Sequence, residues 1–131
     1  MKSITQSYVI HASISEVWNG LVNEEYINSW GGGPAKMNKI PEGKFFLWGG
    51  SIWGINKKVE KNKSLIQEWY SESKNRKWDK PSIVTFSIRQ DGNNVKVELH
   101  QTNIPDDDVK SIDSGWKEYY LGPMKEYLES K

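Results

Sequence analysis

Residues 99–128 run Leu99-His100-Gln101-Thr102-Asn103-Ile104-Pro105, three aspartates, a polar turn's worth of chain from Val109, then Gly115-Trp116-Lys117-Glu118-Tyr119-Tyr120-Leu121-Gly122-Pro123-Met124-Lys125-Glu126-Tyr127-Leu128. The stretch reads as a strand, a turn and a long amphipathic helix. Val109, Ile112, Trp116, Tyr119, Tyr120, Pro123, Met124, Tyr127 and Leu128 recur at the three-and-four spacing of one buried helical face. Starting at Asp106, roughly 24 residues at about 1.5 Å each would make a rod of about 36 Å, long enough to cross a whole sheet. Pro123 removes a backbone donor inside that stripe, which predicts a kink near Gly122.

A sheet must lie beneath such a helix, and the rest of the chain supplies one. Ile4 to His11 alternates as an opening strand, with Ile4, Gln6, Tyr8 and Ile10 on one side. Ser13-Ile14-Ser15-Glu16 is a capping box, and Asn23-Glu24-Glu25 starts a second short helix with acids in its first turn. After Gly31-Gly32-Gly33-Pro34 the period changes to alternation through residues 35–40, 44–48, 51–60, 64–71, 82–90 and 94–102. The separators are turn residues: Pro41-Glu42-Gly43, Gly49-Gly50, Lys61-Asn62-Lys63, a polar loop from Lys74 to Pro81, and Asp91-Gly92-Asn93. Short connections imply antiparallel neighbours. The fold class is therefore α+β: a curved antiparallel sheet of about seven strands wrapped around one long C-terminal helix, with two short helices after the first strand. Residues 1–131 read as a single domain.

Composition narrows the chemistry. The 131 residues include no cysteine and only two histidines, so disulfides, thiolate chemistry and a transition-metal centre are not expected. With 18 basic and 17 acidic residues interspersed, the formal charge is +1, which gives no footing for nucleic-acid binding by counterion release. No signal-like or membrane-spanning apolar run occurs, and the expected location is cytoplasmic. The glycine run neither follows a strand nor leads into a Lys-Ser or Lys-Thr pair, so it is read as a pocket-edge loop rather than a phosphate cradle. Asp106, Asp107 and Asp108 lack calcium-loop spacing and are read as helix-capping acids. His100 falls on the strand face opposite Leu99 and reads as a structural hydrogen-bonding residue. No cofactor is expected.

Ser15-Glu16-Val17-Trp18, Asn23-Glu24-Glu25-Tyr26-Ile27, Glu42-Gly43 leading to Lys44-Phe45-Phe46, Gly50-Ser51-Ile52-Trp53-Gly54, Ile66-Gln67-Glu68-Trp69, Asn103-Ile104-Pro105 and Gly115-Trp116-Lys117-Glu118-Tyr119-Tyr120 occur in that order. Together they resemble the family of activators of heat-shock protein 90 ATPase, in particular the C-terminal domain of that co-chaperone, and the wider START-like and polyketide-cyclase helix-grip superfamily. The resemblance covers nearly the whole chain. It implies a helix-grip fold, docking to heat-shock protein 90 in the two-domain activators, and an apolar small molecule held between sheet and helix in stand-alone relatives. Those activators carry a separate N-terminal domain before this one, so the expectation for this chain alone is weak stimulation of the chaperone.

Seven tryptophans exceed what a core of this size needs. Two readings stand side by side. The rings are simply core, or Trp30, Met37, Trp53, Gln67, Trp69, Phe86, Trp116 and Tyr120 line a cavity between sheet and helix, with the loop from Gly31 to Met37 at its mouth. Gln67 shares a strand face with Leu65 and Trp69 and needs a polar partner there. The functional expectation is a non-catalytic binding module for a small hydrophobic ligand. The alternatives are docking to heat-shock protein 90 or another protein, and a cyclase-type enzyme, for which Gln67, Tyr119 and Tyr120 are the candidate polar groups.

Overall fold

A computed structural model describes residues 1–73 and 76–131. The opening strand β1 (Lys2–Ile10) leads into helices α1 (Ile14–Val22) and α2 (Glu24–Trp30). Seven strands follow: β2 (Lys36–Met37), β3 (Gly43–Leu47), β4 (Ile52–Glu60), β5 (Ser64–Ser73), β6 (Arg76–Lys77), β7 (Ser82–Asp91) and β8 (Asn94–Ile104). The sheet is antiparallel in the order β1-β8-β7-β5-β4-β3-β2, with β6 paired to β5. The expected polar loop from Lys74 to Pro81 thus contains a short strand pairing. Its first two residues, Lys74 and Asn75, lie outside the described residues. The expected strand at 35–40 shrinks to Lys36–Met37, because the Asn38 carbonyl is taken by the side chain of Asn56 at 2.8 Å.

Local chemistry explains the helical elbow. Ser13 Oγ accepts the Glu16 N–H at 3.2 Å, and Asn23 Oδ1 accepts the N–H groups of Glu25 and Tyr26 at 2.9 and 3.4 Å. Glu16 does not complete the capping box. Its carboxylate accepts the Tyr26 hydroxyl at 3.0–3.1 Å instead, joining the two helices. The indole N–H of Trp30 closes the elbow on the Gly20 carbonyl at 2.9 Å.

Alternation along the strands holds as expected. Val84, Phe86 and Ile88 on β7 and Val95, Val97 and Leu99 on β8 are buried, and their neighbours face outward. His100 lies on that outer face, 3.1 Å from Thr5 Oγ1 on β1. The concave face also carries polar side chains. Asn56, Gln67, Val84 and Gln101 are successive cross-strand neighbours, and the three polar members are buried. Gln67 Nε2 donates to Asn56 Oδ1 at 2.9 Å, which gives its amide nitrogen a partner, while its Oε1 is buried with none among the described residues.

The last helix is not the uniform rod that the periodicity predicts. Asp106–Asp108 form a 3₁₀ turn, followed by α3 (Val109–Gly115), a π turn over Trp116–Tyr120, and α4 (Leu121–Glu129). Leu121 N–H reaches back five residues to the Trp116 carbonyl. The irregularity lies one turn before Pro123 rather than at Gly122. A proline ring collides with the carbonyl four residues earlier, and a widened turn upstream is a recurrent accommodation. Gly122 sits so close to the Lys117 carbonyl that a Cβ there would lie 2.0 Å from the oxygen. The three aspartates fill the first turn as acids, and two of them have further partners. Asp106 pairs with the N-terminal amine at 2.9 Å, and buried Asp108 accepts the Trp78 indole N–H at 2.8 Å.

Candidate functional site

Between α3, the π turn and the sheet lies an open-sided cavity of about 450 Å³, with Tyr119 largely exposed at its rim. Ile52 and Trp69 form its floor from β4 and β5. Ser111, Ile112 and Gly115 of α3 and Trp116, Tyr119 and Tyr120 of the π turn form its roof, and Trp48 and Ser51 close one side. Its volume lies within the range of roughly 300–1,000 Å³ usual for small-molecule sites. Among the described residues, no charged side chain lines it.

Each wall is fixed by a specific contact. The Trp116 indole N–H donates to Gln101 Oε1 at 2.8 Å, Gln101 Nε2 donates to Ser82 Oγ at 2.9 Å, and Ser82 Oγ donates to the Trp69 carbonyl at 2.9 Å. This chain ties the helix to three strands. The Trp69 ring stacks on Trp116 at 5.4 Å, and Tyr120 lies 4.7 Å from the rings of both Trp116 and Trp30. Trp48 is held in the left-handed region (φ +48°), a conformation that costs a non-glycine residue about 1–3 kcal/mol. Its N–H donates to the Gly32 carbonyl and its indole N–H to the Gly31 carbonyl, both at 2.8 Å, while Gly49 N–H reaches the Pro34 carbonyl at 2.9 Å. The glycine loop therefore braces Trp48 from behind and is not itself at the mouth.

Of the residues expected to line a pocket, Trp69, Trp116 and Tyr120 do so. Phe86 lies beneath them, edge-on to Trp116 at 5.6 Å, as solid core. Trp30 packs behind Tyr120. Gln67 is bound up with Asn56, and Met37 sits near the sheet edge, where its Sδ lies 3.4 Å from Asn56 Nδ2. Trp53 belongs to the opposite face. Ile52 points inward, so strand parity sends Trp53 outward, where it stacks on its cross-strand neighbour Tyr70 at 5.6 Å with Lys77 Nζ 5.8 Å above the ring. Sequence reasoning missed Trp48, Ser51, Ile52, Ser111, Ile112 and Gly115 as lining residues. Ile112 was legible in the helical stripe. Gln101 was legible too, as the next inward position after Leu99.

Two polar groups on the cavity's lining residues have no hydrogen-bond partner among the described residues: the indole N–H of Trp69 and the hydroxyl of Tyr120, both buried. Burial pushes the Tyr120 phenol well above its ordinary pKa, so it remains a protonated donor at neutral pH. Among the described residues, no cluster of three or more His, Cys, Asp or Glu could hold a metal ion, and no helix is long and apolar enough to cross a membrane.

The family described as Activator of Hsp90 ATPase homolog 1-like protein matches residues 11–129. A curated relative, the activator of 90 kDa heat shock protein ATPase homolog of Dictyostelium discoideum, is 36% identical over 84 residues, covering 63% of this chain and 21% of its own length. The chain spans between 21% and 36% of the length of the curated relatives it matches. Among solved structures, an HSP90 activator from Plasmodium falciparum superposes with a TM-score of 0.87 at 20% identity, covering 98% of this chain and 96% of the other. CalU16 from Micromonospora echinospora superposes with a TM-score of 0.81 at 22% identity over 96% of this chain and 75% of its own.

Proposed function

The chain belongs to the family of Activator of Hsp90 ATPase homolog 1-like proteins, and from that premise we propose that it is a non-catalytic binding module whose cavity takes a small apolar molecule. The observation that carries this reading is the 450 Å³ space itself, walled by indole and phenol rings and by Ile52 and Ile112. Burying a ligand's apolar surface there gains about 25 cal/mol per Å², and the side chains that form the walls are already ordered by the Trp116–Gln101–Ser82 chain. Catalysis of the cyclase type has less support, since the titratable groups lining the cavity are Tyr119 and Tyr120 and neither is paired there with a carboxylate or histidine.

The test is titration with the neutral fluorophore N-phenyl-1-naphthylamine. Saturable one-site binding that quenches tryptophan emission is expected, and Ile112→Glu should abolish it while leaving the unfolding midpoint nearly unchanged. Ile112 is only partly buried, so the variant should fold. A second reading, docking to a 90 kDa heat-shock protein, draws on the named activity of the Dictyostelium relative. Absence of saturable probe binding, together with several-fold stimulation of that chaperone's ATP turnover by this chain, would replace the first reading with the second.

A further inference from the structure

We propose that the free edge of β1 is a docking surface for a second copy of this chain, the two β1 strands pairing antiparallel about a two-fold axis that passes beside Gln6. β1 ends the sheet and pairs on one side only, with β8. An unpaired strand edge is a template for another strand, and native edges blunt it with charged residues, proline or bulges. β1 lacks these devices over most of its length. From Ser3 to Ile10 it has no charged residue and no proline, and its one register irregularity falls between Lys2 and Ile4. Only at the end of the strand does α4 close the edge, where Lys125 Nζ donates to the Val9 carbonyl at 2.7 Å and Glu129 accepts the His11 N–H at 2.9 Å. Backbone groups alternate sides along a strand, so Thr5 and Ser7 share Val9's side. Their N–H and C=O groups point where the sheet has no further strand.

Charge on the flanking helix selects the strand that fits. Open grooves run between β1 and the side of α3 and the π turn, lined from the helix by Lys110, Asp113, Lys117 and Glu118. All four are exposed, and none forms an ion pair among the described residues. Their order, positive, negative, positive, negative, is self-complementary. A two-fold axis reverses it in the second copy, so that Lys110 faces the second copy's Glu118 and Asp113 faces its Lys117. Lys110 and Glu118 lie equally far from Ser114 along the chain. Gln6 reaches that same place, donating to the carbonyl and the carboxylate of Asp113 at 2.9 and 2.7 Å. One axis beside Gln6 therefore serves both layers. In the strand layer it sets Thr5 against the second copy's Ser7 and Ser7 against its Thr5, each pair exchanging both backbone hydrogen bonds. These side chains are small and uncharged, so no like charges are brought opposite one another. A contact of this isologous kind closes at two copies.

The experiment is sedimentation velocity across a concentration series, with amide hydrogen exchange on the same samples. A concentration-dependent dimer is expected, in which the Thr5 and Ser7 amides are protected at high concentration and exchange freely at low. Ser7→Pro removes a donor at an edge position, where proline is tolerated, and should raise the dimer dissociation constant at least about tenfold. Lys110→Glu and Glu118→Lys should each raise it several-fold. The double variant restores opposite charges across the axis and should return to within about twofold of the parent. Unfolding midpoints separate a lost interface from a lost fold. Should Ser7→Pro not fold, the two charge variants carry the test, since both positions are exposed. A chain that stays monomeric at every concentration overturns the proposal. So does a dimer indifferent to all of these substitutions, which would use another face. Binding of an extended peptide along β1 by a monomeric chain would reassign the edge to a partner protein. The cavity reading stands apart from each of these results, because its walls come from β4, β5 and the opposite side of the helix.

Discussion

The two halves of the last helix share one amphipathic stripe yet meet the protein in opposite ways. From α4, Leu121, Met124 and Leu128 are buried against α1 and α2, so closely that a Cβ added to Gly20 would lie 3.0 Å from Met124 Sδ. Tyr127 meets Tyr26 edge-on at 5.9 Å. From α3 no residue is fully buried, and the apolar residues Val109 and Ile112 are only partly covered. The difference shows that the cavity is not a packing defect spread through the core. It is confined to one side of the π turn, where Trp116 and Tyr120 end the solid core and begin the open space.

The sharpest way to break this comparison is at the boundary. Trp116→Ala is expected to cost about 3–5 kcal/mol, as large buried rings do, with Gln101 Oε1 also losing its donor. Denaturant midpoints measure it. A loss below about 1 kcal/mol would mean that the ring is part of the open region and that the boundary lies elsewhere.

Next in size comes a matched pair on either side. Met124→Ala should cost about 2–5 kcal/mol, because its surroundings are close-packed and cannot collapse onto the vacated space. Ile112→Ala should cost under about 1 kcal/mol, since its side chain already borders empty volume and loses little contact. Equal losses at the two sites would remove the distinction between a closed and an open half.

Much of this fold was legible beforehand, and the reasons differ by element. The strands follow from period-two alternation with Asp91-Gly92 and similar turns between them, and the helical stripe names Trp116, Tyr120, Met124 and Leu128 as buried, but it also includes Tyr119, which is 64% exposed. Trp53 lies outside the cavity because it adjoins inward-facing Ile52 on β4 and so takes the opposite face, which its aromatic character does not reveal. The π turn was invisible to a fixed 3.6-residue period, which cannot register one extra residue in a turn. Trp48 was missed because its place depends on carbonyls of the distant glycine loop, and no local pattern encodes such a brace.

A third comparison uses two glycines of the helix itself. At Gly122 a methyl group would meet the Lys117 carbonyl oxygen, so Gly122→Ala should force the π turn to shift and cost about 1–3 kcal/mol, the usual scale of overpacking. At Gly115 the nearest atom to an added Cβ is Tyr119 Cδ2 at 4.0 Å. Gly115→Ala should therefore stabilise by roughly 0.5–1 kcal/mol through helix propensity alone. Opposite signs seven residues apart are the signature of one tight half and one loose half. Two destabilisations would show that α3 is packed more closely than its exposure indicates.

The smallest effect lies at the far end of the closed half, where Glu129 accepts the His11 backbone N–H at 2.9 Å and the Lys125 ammonium at 3.0 Å. The His11 bond first, and Lys125 second, hold its carboxyl below the ordinary glutamate value. A group whose pKa is depressed by folding stabilises the folded state above its unfolded pKa, about 4.3 for glutamate. That contribution fades as pH falls through the lower folded value. Because the site is near the surface, solvent screens it to about 0.3–1 kcal/mol. Unfolding midpoints of the parent and Glu129→Gln should then differ at neutral pH and converge once the pH lies below the folded-state pKa. High salt should narrow the difference at neutral pH, since a pair this exposed is open to screening. Were the two curves to stay parallel down to the most acidic condition, the charge on Glu129 would be irrelevant. The closed half would then owe its tightness to Leu121, Met124 and Leu128 alone.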